Sequence, residues 1–570
     1  MNLPSPLPKR KFRIAIPRRL SALVLLLLTA VPAAAQPTTR DDLLRLVPGD
    51  FGLCLVVHDL RGHAERWQQS PWIKGLWHSP LGQAIAADPG FAQLQKLETE
   101  LKSHLDLDWP RLRDEILGDT VVFAYQPATG AAMESGLLLV KARNAALLSQ
   151  IIDVINREQK KSGELKEQET RAHKGLKYYH RIERQRSHFY ALVGNLLVFG
   201  NREESLKAVL ERLGTAPPTP MVEQLGKAGI DKVLAAVWLN PRLLDEELKQ
   251  KARAASTAQG QVLERLLGFW QALDAVVLTV AVDQIAEVAL TVQGRPSDLP
   301  GWARRFLGEA GKPSGLWQRF PAKSILSVAG RTDAAALVDT LGEFATPEVR
   351  KALLTGLQNN LGNLLGLDVA DDVLPNLGPD WGFSVSAAAT NQFPHALFAL
   401  AVRPGTKDVD QALFKAGQIL AGLAVVAHNS KSADPIRLKT VVQDKVEVKY
   451  LEGDKVFPPG LRPALALKDG YLLLASSPEA IQGFRPQQTQ TFAGEVPVVR
   501  LSIVELGKFL RQHRAWVIAA IADKNKLSAS EVAQGLDSAL AVMDLLDRFE
   551  IHQRSATGQS TWTMRLHPRR

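Results

Sequence analysis

Apolar and polar positions along the chain follow two different periods. Near the C-terminus Phe549 and Ile551 alternate with Arg548, Glu550 and His552, and Trp562, Met564 and Leu566 alternate with Thr561, Thr563, Arg565 and His567. A period of two with one apolar face predicts a half-buried antiparallel sheet. Residues 262–273 and 528–546 instead repeat apolar positions at intervals of three and four, the signature of a helix with one buried face. Apolar runs at 51–57, 136–141, 325–329 and 397–402 predict further strands. Residues 191–199 and 466–474 each predict two strands about a tight Gly-containing turn. The pattern defines an α+β fold, an antiparallel sheet with helices packed on one face.

The elements recur at long range. Leu107-Asp108 is followed ten residues later by Leu117-Gly118, Leu367-Asp368 is followed ten residues later by Leu377-Gly378, and the two sets are 260 residues apart. Entry strands after Leu46-Val47-Pro48 and Arg319-Phe320-Pro321, the two hairpins, and closing strands at 287–292 and 561–566 repeat in the same order. This predicts two tandem duplicated units, 36–294 and 315–570, joined by a link at 295–314 that holds Pro296, Pro300 and Pro313. Asp108 and Asp368 each precede a helical stretch, where an Asp serves as N-cap by accepting backbone N–H bonds.

Two regions of the first unit stand out. The repeat offset grows from 260 to 273 between the Leu-Gly motifs and Pro48/Pro321, so the first unit carries 13 extra residues in a stretch that contains Trp67, Trp72 and Trp77. Tryptophan is enriched at binding hot spots, and it also fills cores beneath helices. The second region, 171–188, holds Arg171, Lys174, Lys177, Arg181, Arg184 and Arg186 against Glu183 alone. It reads as a hairpin with charges on its solvent face, or as a basic patch for an anionic polymer or phospholipid headgroup. Trp67, Trp72, Trp77, Arg181, Arg184 and Arg186 are therefore the candidate ligand or partner surface. His173, His180 and His188 are interleaved, but their spacings of seven and eight match no common metal-ligand pattern.

The N-terminus changes how the charge is read. Residues 1–19 carry Lys9, Arg10, Lys11, Arg13, Arg18 and Arg19 and no acid; the apolar run 20–31 follows and ends in Pro32-Ala33-Ala34-Ala35-Gln36. A basic start, a short apolar run and small residues predict a secretory signal peptide, 1–35, cleaved near Ala35. The run is shorter than the roughly 20 residues that span a bilayer, and no cysteine follows for a lipoprotein anchor. Removing it takes Lys plus Arg from 69 to 63 while Asp plus Glu stays at 59, so the formal charge falls from +10 to +4. That small excess argues against nucleic acid as a partner. No later stretch reaches membrane-spanning length without charges, so the mature chain is expected to lack a transmembrane anchor and to reside in the periplasm or outside the cell.

Composition is that of a globular protein, with 46% apolar and 22% charged residues. The single cysteine, Cys54, rules out an intramolecular disulfide framework and a cysteine-rich zinc site, and inside an apolar strand it behaves as a small hydrophobe. The chain has no G-x-S-x-G, H-E-x-x-H or G-x-G-x-x-G motif. Residues 308–312 lack Walker spacing, and Pro313 stands where that loop needs Ser or Thr. No catalytic residue, cofactor or metal is assigned.

Three stretches carry a resemblance: VPGDFGLCLVVHDL at 47–60, SPWIKGLWHSPLGQA at 70–84, and the Gly194-Asn195-Leu196-Leu197-Val198-Phe199-Gly200 hairpin after the Leu-Gly turn. Together they resemble large exported bacterial proteins of a domain-of-unknown-function family. The resemblance implies an exported α+β protein and brings no known active site. The leading expectation is a non-enzymatic envelope binding or scaffold protein whose partner is an envelope protein, polymer or lipid. A carrier of an apolar ligand such as lipid, and an envelope hydrolase with a dispersed site, are the alternatives. An exposed apolar patch points to the first, an internal apolar cavity to the second, and convergent titratable groups in a cleft to the third.

Overall fold

A computed structural model describes residues 40–88, 99, 102–103, 107–128, 133–184, 186–214, 217, 219–255, 257–345, 347–390, 392–403, 408–487 and 494–569. The predicted signal peptide lies outside the described residues. Two compact units form: one takes the described residues up to Phe51 and Leu55–Val222, the other Gly52–Cys54 and Glu223–Arg570.

The elements of the first part of the chain are α1 (Arg40–Leu46), β1 (Leu53–His58), α2 (Leu60–Gln69), α3 (Pro71–His78), β2 (Thr120–Gln126), β3 (Ser135–Lys141), α4 (Ala145–Lys161), β4 (Leu165–His173), β5 (Leu176–Glu183), β6 (Arg186–Val193), β7 (Leu196–Gly200) and α5 (Glu203–Arg212). Strands β2 to β7 pair antiparallel in the order β2-β3-β7-β6-β5-β4. Val122, Leu139, Val198 and Leu206 are fully buried. Burying such a side chain is worth about 1.5–3 kcal/mol.

The second unit continues with α6 (Pro220–Lys227), β8 (Ala235–Leu239), β9 (Leu273–Val282), β10 (Ala286–Gly294), α7 (Gly301–Ala310), β11 (Ser324–Arg331), β12 (Leu377–Ser386), β13 (His395–Val402), α8 (Val409–Asn429), β14 (Arg437–Gln443), β15 (Val446–Glu452), β16 (Ala464–Lys468), β17 (Tyr471–Ala475), α9 (Pro478–Gln482), β18 (Val496–Ser502), α10 (Ile503–Gln512), α11 (Arg514–Asn525), α12 (Ala529–Met543), β19 (Leu546–Ala556) and β20 (Gln559–Pro568). Thirteen of its strands form one antiparallel run, β8-β9-β10-β20-β19-β18-β11-β12-β13-β17-β16-β15-β14. The fold is α+β and antiparallel, as the alternation and the hairpins predict. Residues 301–310, inside the proline-rich stretch, are helical (α7) and belong to the second unit.

Both aspartates at the repeated motifs cap as expected. Asp108 Oδ1 accepts from Arg111 N at 2.9 Å and Asp368 Oδ1 from Asp371 N at 2.8 Å.

Helical cover differs from the expectation of one face. A Cβ on Gly382 would meet Leu316 and Phe320 at 2.9 Å, so the turn at 315–318 and Phe320 press on the side of β12 that Gly382 shares with Ala399 and Leu473. Leu316, Trp317, Phe320, Ala399, Leu473 and Phe484 form the core there. A Cβ on Gly417 of α8 would run into Leu465, which points to the other side of β16 from Ala466. Helical elements therefore lie on both faces of this part of the sheet, because residues on both faces of β13, β16 and β17 are apolar and each needs cover.

Candidate binding surface

Residues directly opposite on paired strands share a face. In the second unit one such row runs Val280, Val288, Met564, Ile551, Val499, Val328, Phe383, Phe398, Leu474 and Leu465 across ten strands without a polar residue. A neighbouring row aligns Leu278, Leu290 and Trp562. Helix α8 packs over β16, β14 and β17, and α10 packs against β19, β11 and β18. This cover is incomplete: Leu278, Leu290, Trp562, Met564 and Leu474 are exposed.

The helix beside this face is itself apolar on its outside. No charged residue occurs between Lys415 and Lys431, and Leu420, Leu423 and Val426 are 52%, 59% and 67% exposed, with Ile419 beside them. By length and composition α8 is apolar enough to cross a membrane. Here its ends are held by the fold. The first turns bury Val409 and Phe414, with Val409 packed against Val373 and Val402. At the other end Asn429 exchanges two hydrogen bonds with the backbone of Ile436, at 2.8 and 2.9 Å. Helix α4 follows a strand pair in the same way, yet it presents Asp153, Arg157, Lys160 and Lys161 to solvent. Among the described residues the first unit exposes three large apolar side chains (Leu81, Met133 and Ile155), whereas the second exposes 19.

The opposite face of the middle strands carries charge. Glu287, Arg565, Glu550 and Arg500 stand opposite one another on β10, β20, β19 and β18. Arg565 reaches Glu287 at 2.7 Å and Glu495 at 3.0 Å, and Arg500 Nε donates to Glu550 at 2.8 Å. Arg548 Nε lies 3.2 Å and His567 Nε2 3.0 Å from Glu550. Burial pulls the Glu550 carboxyl up, but His552 and the charges of Arg548 and Arg500 outweigh it and hold the pKa well below the usual carboxylate range. Burial, then Arg548, lowers the pKa of His567. Every carboxylate in the row is matched by a guanidinium, the arrangement of a structural ion network.

The residues singled out in the sequence lie elsewhere. Trp67 is buried on α2, and Trp72 and Trp77 are half-buried on α3. Arg181 differs from a solvent-face charge. It is 5% exposed, hydrogen-bonds Gln159 of α4 and lies 2.8 Å from Glu183, because position 181 falls on the face of β5 that α4 covers. Arg184 sits in the β5–β6 turn at a φ of 49°, 3.7 Å from Glu164, and Arg186 is exposed. His173 pairs with Glu211 at 2.9 Å, and His180 stacks on Phe189. The burial of Cys54 pushes its thiol up to about 12. The α8 surface was missed in the sequence, although the uncharged stretch 416–430 is its signal.

This architecture defines an α+β protein with a long antiparallel sheet whose apolar face is only partly covered. The chain belongs to a family described as protein of unknown function (DUF3352), whose model matches residues 80–422, more than half of its length. No curated protein and no solved structure matches it.

Proposed function

We propose that the chain is an exported, non-enzymatic binding protein of the cell envelope that engages an apolar partner through its second unit. The observation that carries this reading is the exposed α8 face, Ile419, Leu420, Leu423 and Val426, beside a sheet face that leaves Leu474 and Trp562 uncovered. Apolar surface on this scale marks an interaction site on a soluble protein. The basic segment, apolar run and small residues at 1–36 support export, with cleavage near Ala35 and release to the periplasm or beyond.

We further propose that the chain arose by tandem duplication. The strand order β2-β3-β7-β6-β5-β4 recurs as β12-β13-β17-β16-β15-β14, and β8-β9-β10 recurs as β18-β19-β20. In this view α8 is the counterpart of α4, and its charged outer face has been exchanged for an apolar one.

A lipid carrier is the second reading. The row Leu278, Leu290 and Trp562, with Met564 beside it, favours it, since an open apolar sheet face can hold an acyl chain. A photo-crosslinking residue placed at Leu423, at Trp562 and, as control, at Arg157 in the exporting cell tests both. A protein adduct at Leu423 with none at Arg157 supports the scaffold. A lipid adduct at Trp562 supports the carrier. No adduct at either apolar position defeats the proposal.

A further inference from the structure

The first unit contains a pocket of about 340 Å³ that the sequence does not announce. Its cationic groups come from three elements: Arg45 in the last turn of α1, Lys141 at the end of β3 and Arg212 in the last turn of α5. Asp42 is the one acid among its lining residues, and Leu46 and Leu196 contribute apolar wall. The C-terminal carbonyls of α1 and α5 favour cations at these positions, and Arg212 Nε donates to the Arg45 carbonyl at 2.9 Å. That accounts for one donor only. Arg45 Nε is buried with no hydrogen-bond partner. Among the described residues none of the three cations has a carboxylate within ion-pair distance, whereas Arg171, Arg181 and Arg184 in the same unit all do. A buried guanidinium N–H without an acceptor is costly, and an anion in the pocket removes that cost.

We propose that this pocket binds a phosphate monoester carried on a short apolar stem. Three cations against Asp42 leave a surplus of two charges, which matches the dianion present above a second pKa of about 6. Guanidinium groups suit phosphate because their planar N–H pairs bind it bidentately. The volume lies at the low end of the roughly 300–1,000 Å³ typical of ligand sites, so the ligand is a small phosphoester or the headgroup end of a lipid phosphate. The leucine wall takes up the first carbons of the stem.

Isothermal titration of the full chain with hexyl phosphate, inorganic phosphate and hexanol tests this. Hexyl phosphate is expected to bind, with at least tenfold weaker affinity in Arg45→Gln and in Lys141→Gln and unchanged affinity in Arg184→Gln, which lies outside the pocket. Tighter binding of hexyl phosphate than of inorganic phosphate supports a phosphate on an apolar stem; equal or tighter binding of inorganic phosphate overturns the stem and with it the proposal. Lys141 is half-exposed at a strand end, so Lys141→Gln keeps the test alive should Arg45→Gln misfold. Absence of binding, binding that Lys141→Gln leaves unchanged, or equal binding of hexanol overturns the proposal. The apolar surface of the second unit stands or falls independently of this result.

Discussion

Replacing Glu550 by Gln tests whether the buried charge row holds the middle of the second unit's sheet. Glu550 is 5% exposed and accepts from Arg500 at 2.8 Å, with Arg548 at 3.2 Å on its other oxygen. Breaking a buried ion pair costs about 3–5 kcal/mol when the remaining charge is stranded. Here both arginines retain support. Arg548 keeps Asp547 at 2.6 Å, Arg500 keeps the Trp317 ring at 5.5 Å, and both side chains are about one-third exposed. What is lost is the carboxylate charge on the contacts to Arg500 and Arg548, while both arginines keep other support, so we expect a loss of about 2 kcal/mol at pH 7. The pH dependence has a definite sign. The folded carboxyl titrates below its unfolded value near 4.3, so its contribution is fully present above that value and is lost as the pH falls through the folded pKa. Gln does not titrate, so the gap between wild type and variant should narrow steadily below about pH 4.5. Urea unfolding of both proteins from pH 7 to pH 3, followed by Trp fluorescence, reads the gap directly. A gap that is absent at pH 7, or equal or larger at pH 3, refutes the reasoning.

Three further outcomes are expected. Leu420→Asp with Leu423→Asp should leave the thermal midpoint within about 2 °C of wild type, since neither side chain is buried. The pair should weaken partner binding by about 2–3 kcal/mol, roughly 30- to 150-fold, from the leucine area that a partner can still cover. An unchanged crosslinking yield would remove α8 from the binding surface. Gly382→Ala places a Cβ 2.7 Å from the Val328 carbonyl oxygen and 2.9 Å from Leu316 and Phe320. That overpacking should cost about 1–3 kcal/mol in denaturant unfolding, and a neutral variant would show that the core around Phe320 yields. Cys54, buried with its thiol pushed up to about 12, should resist a thiol reagent at pH 8 until urea unfolds the chain. Rapid modification in buffer would contradict its burial.

Much of the fold was legible from local pattern. The hairpins at 191–199 and 466–474 form as β6–β7 and β16–β17 because their turn residues and alternating apolar positions act over a few neighbours. The caps at Asp108 and Asp368 follow from a carboxylate placed one residue before a helix. The candidate surface was less legible. Arg181 sits in a basic stretch, and nothing in that stretch shows that α4 folds over its face of β5. Trp67 supplies core, as a large ring under a helix commonly does.

The amino-acid sequence alone determines the kind of most elements, strand or helix, because periods of two and of three to four express interactions between near neighbours in the chain. It also determines the uncharged run that becomes α8. Tertiary structure decides which surfaces are left open. The apolar row from Val280 to Leu465 exists only once ten strands have paired in register, and its exposure depends on where α8 and α10 stop covering it. Likewise Arg45 and Arg212, 167 residues apart, meet Lys141 only after α1 and α5 have packed against the sheet. Short-range periodicity records what each segment buries; only the assembled packing records what remains for a partner.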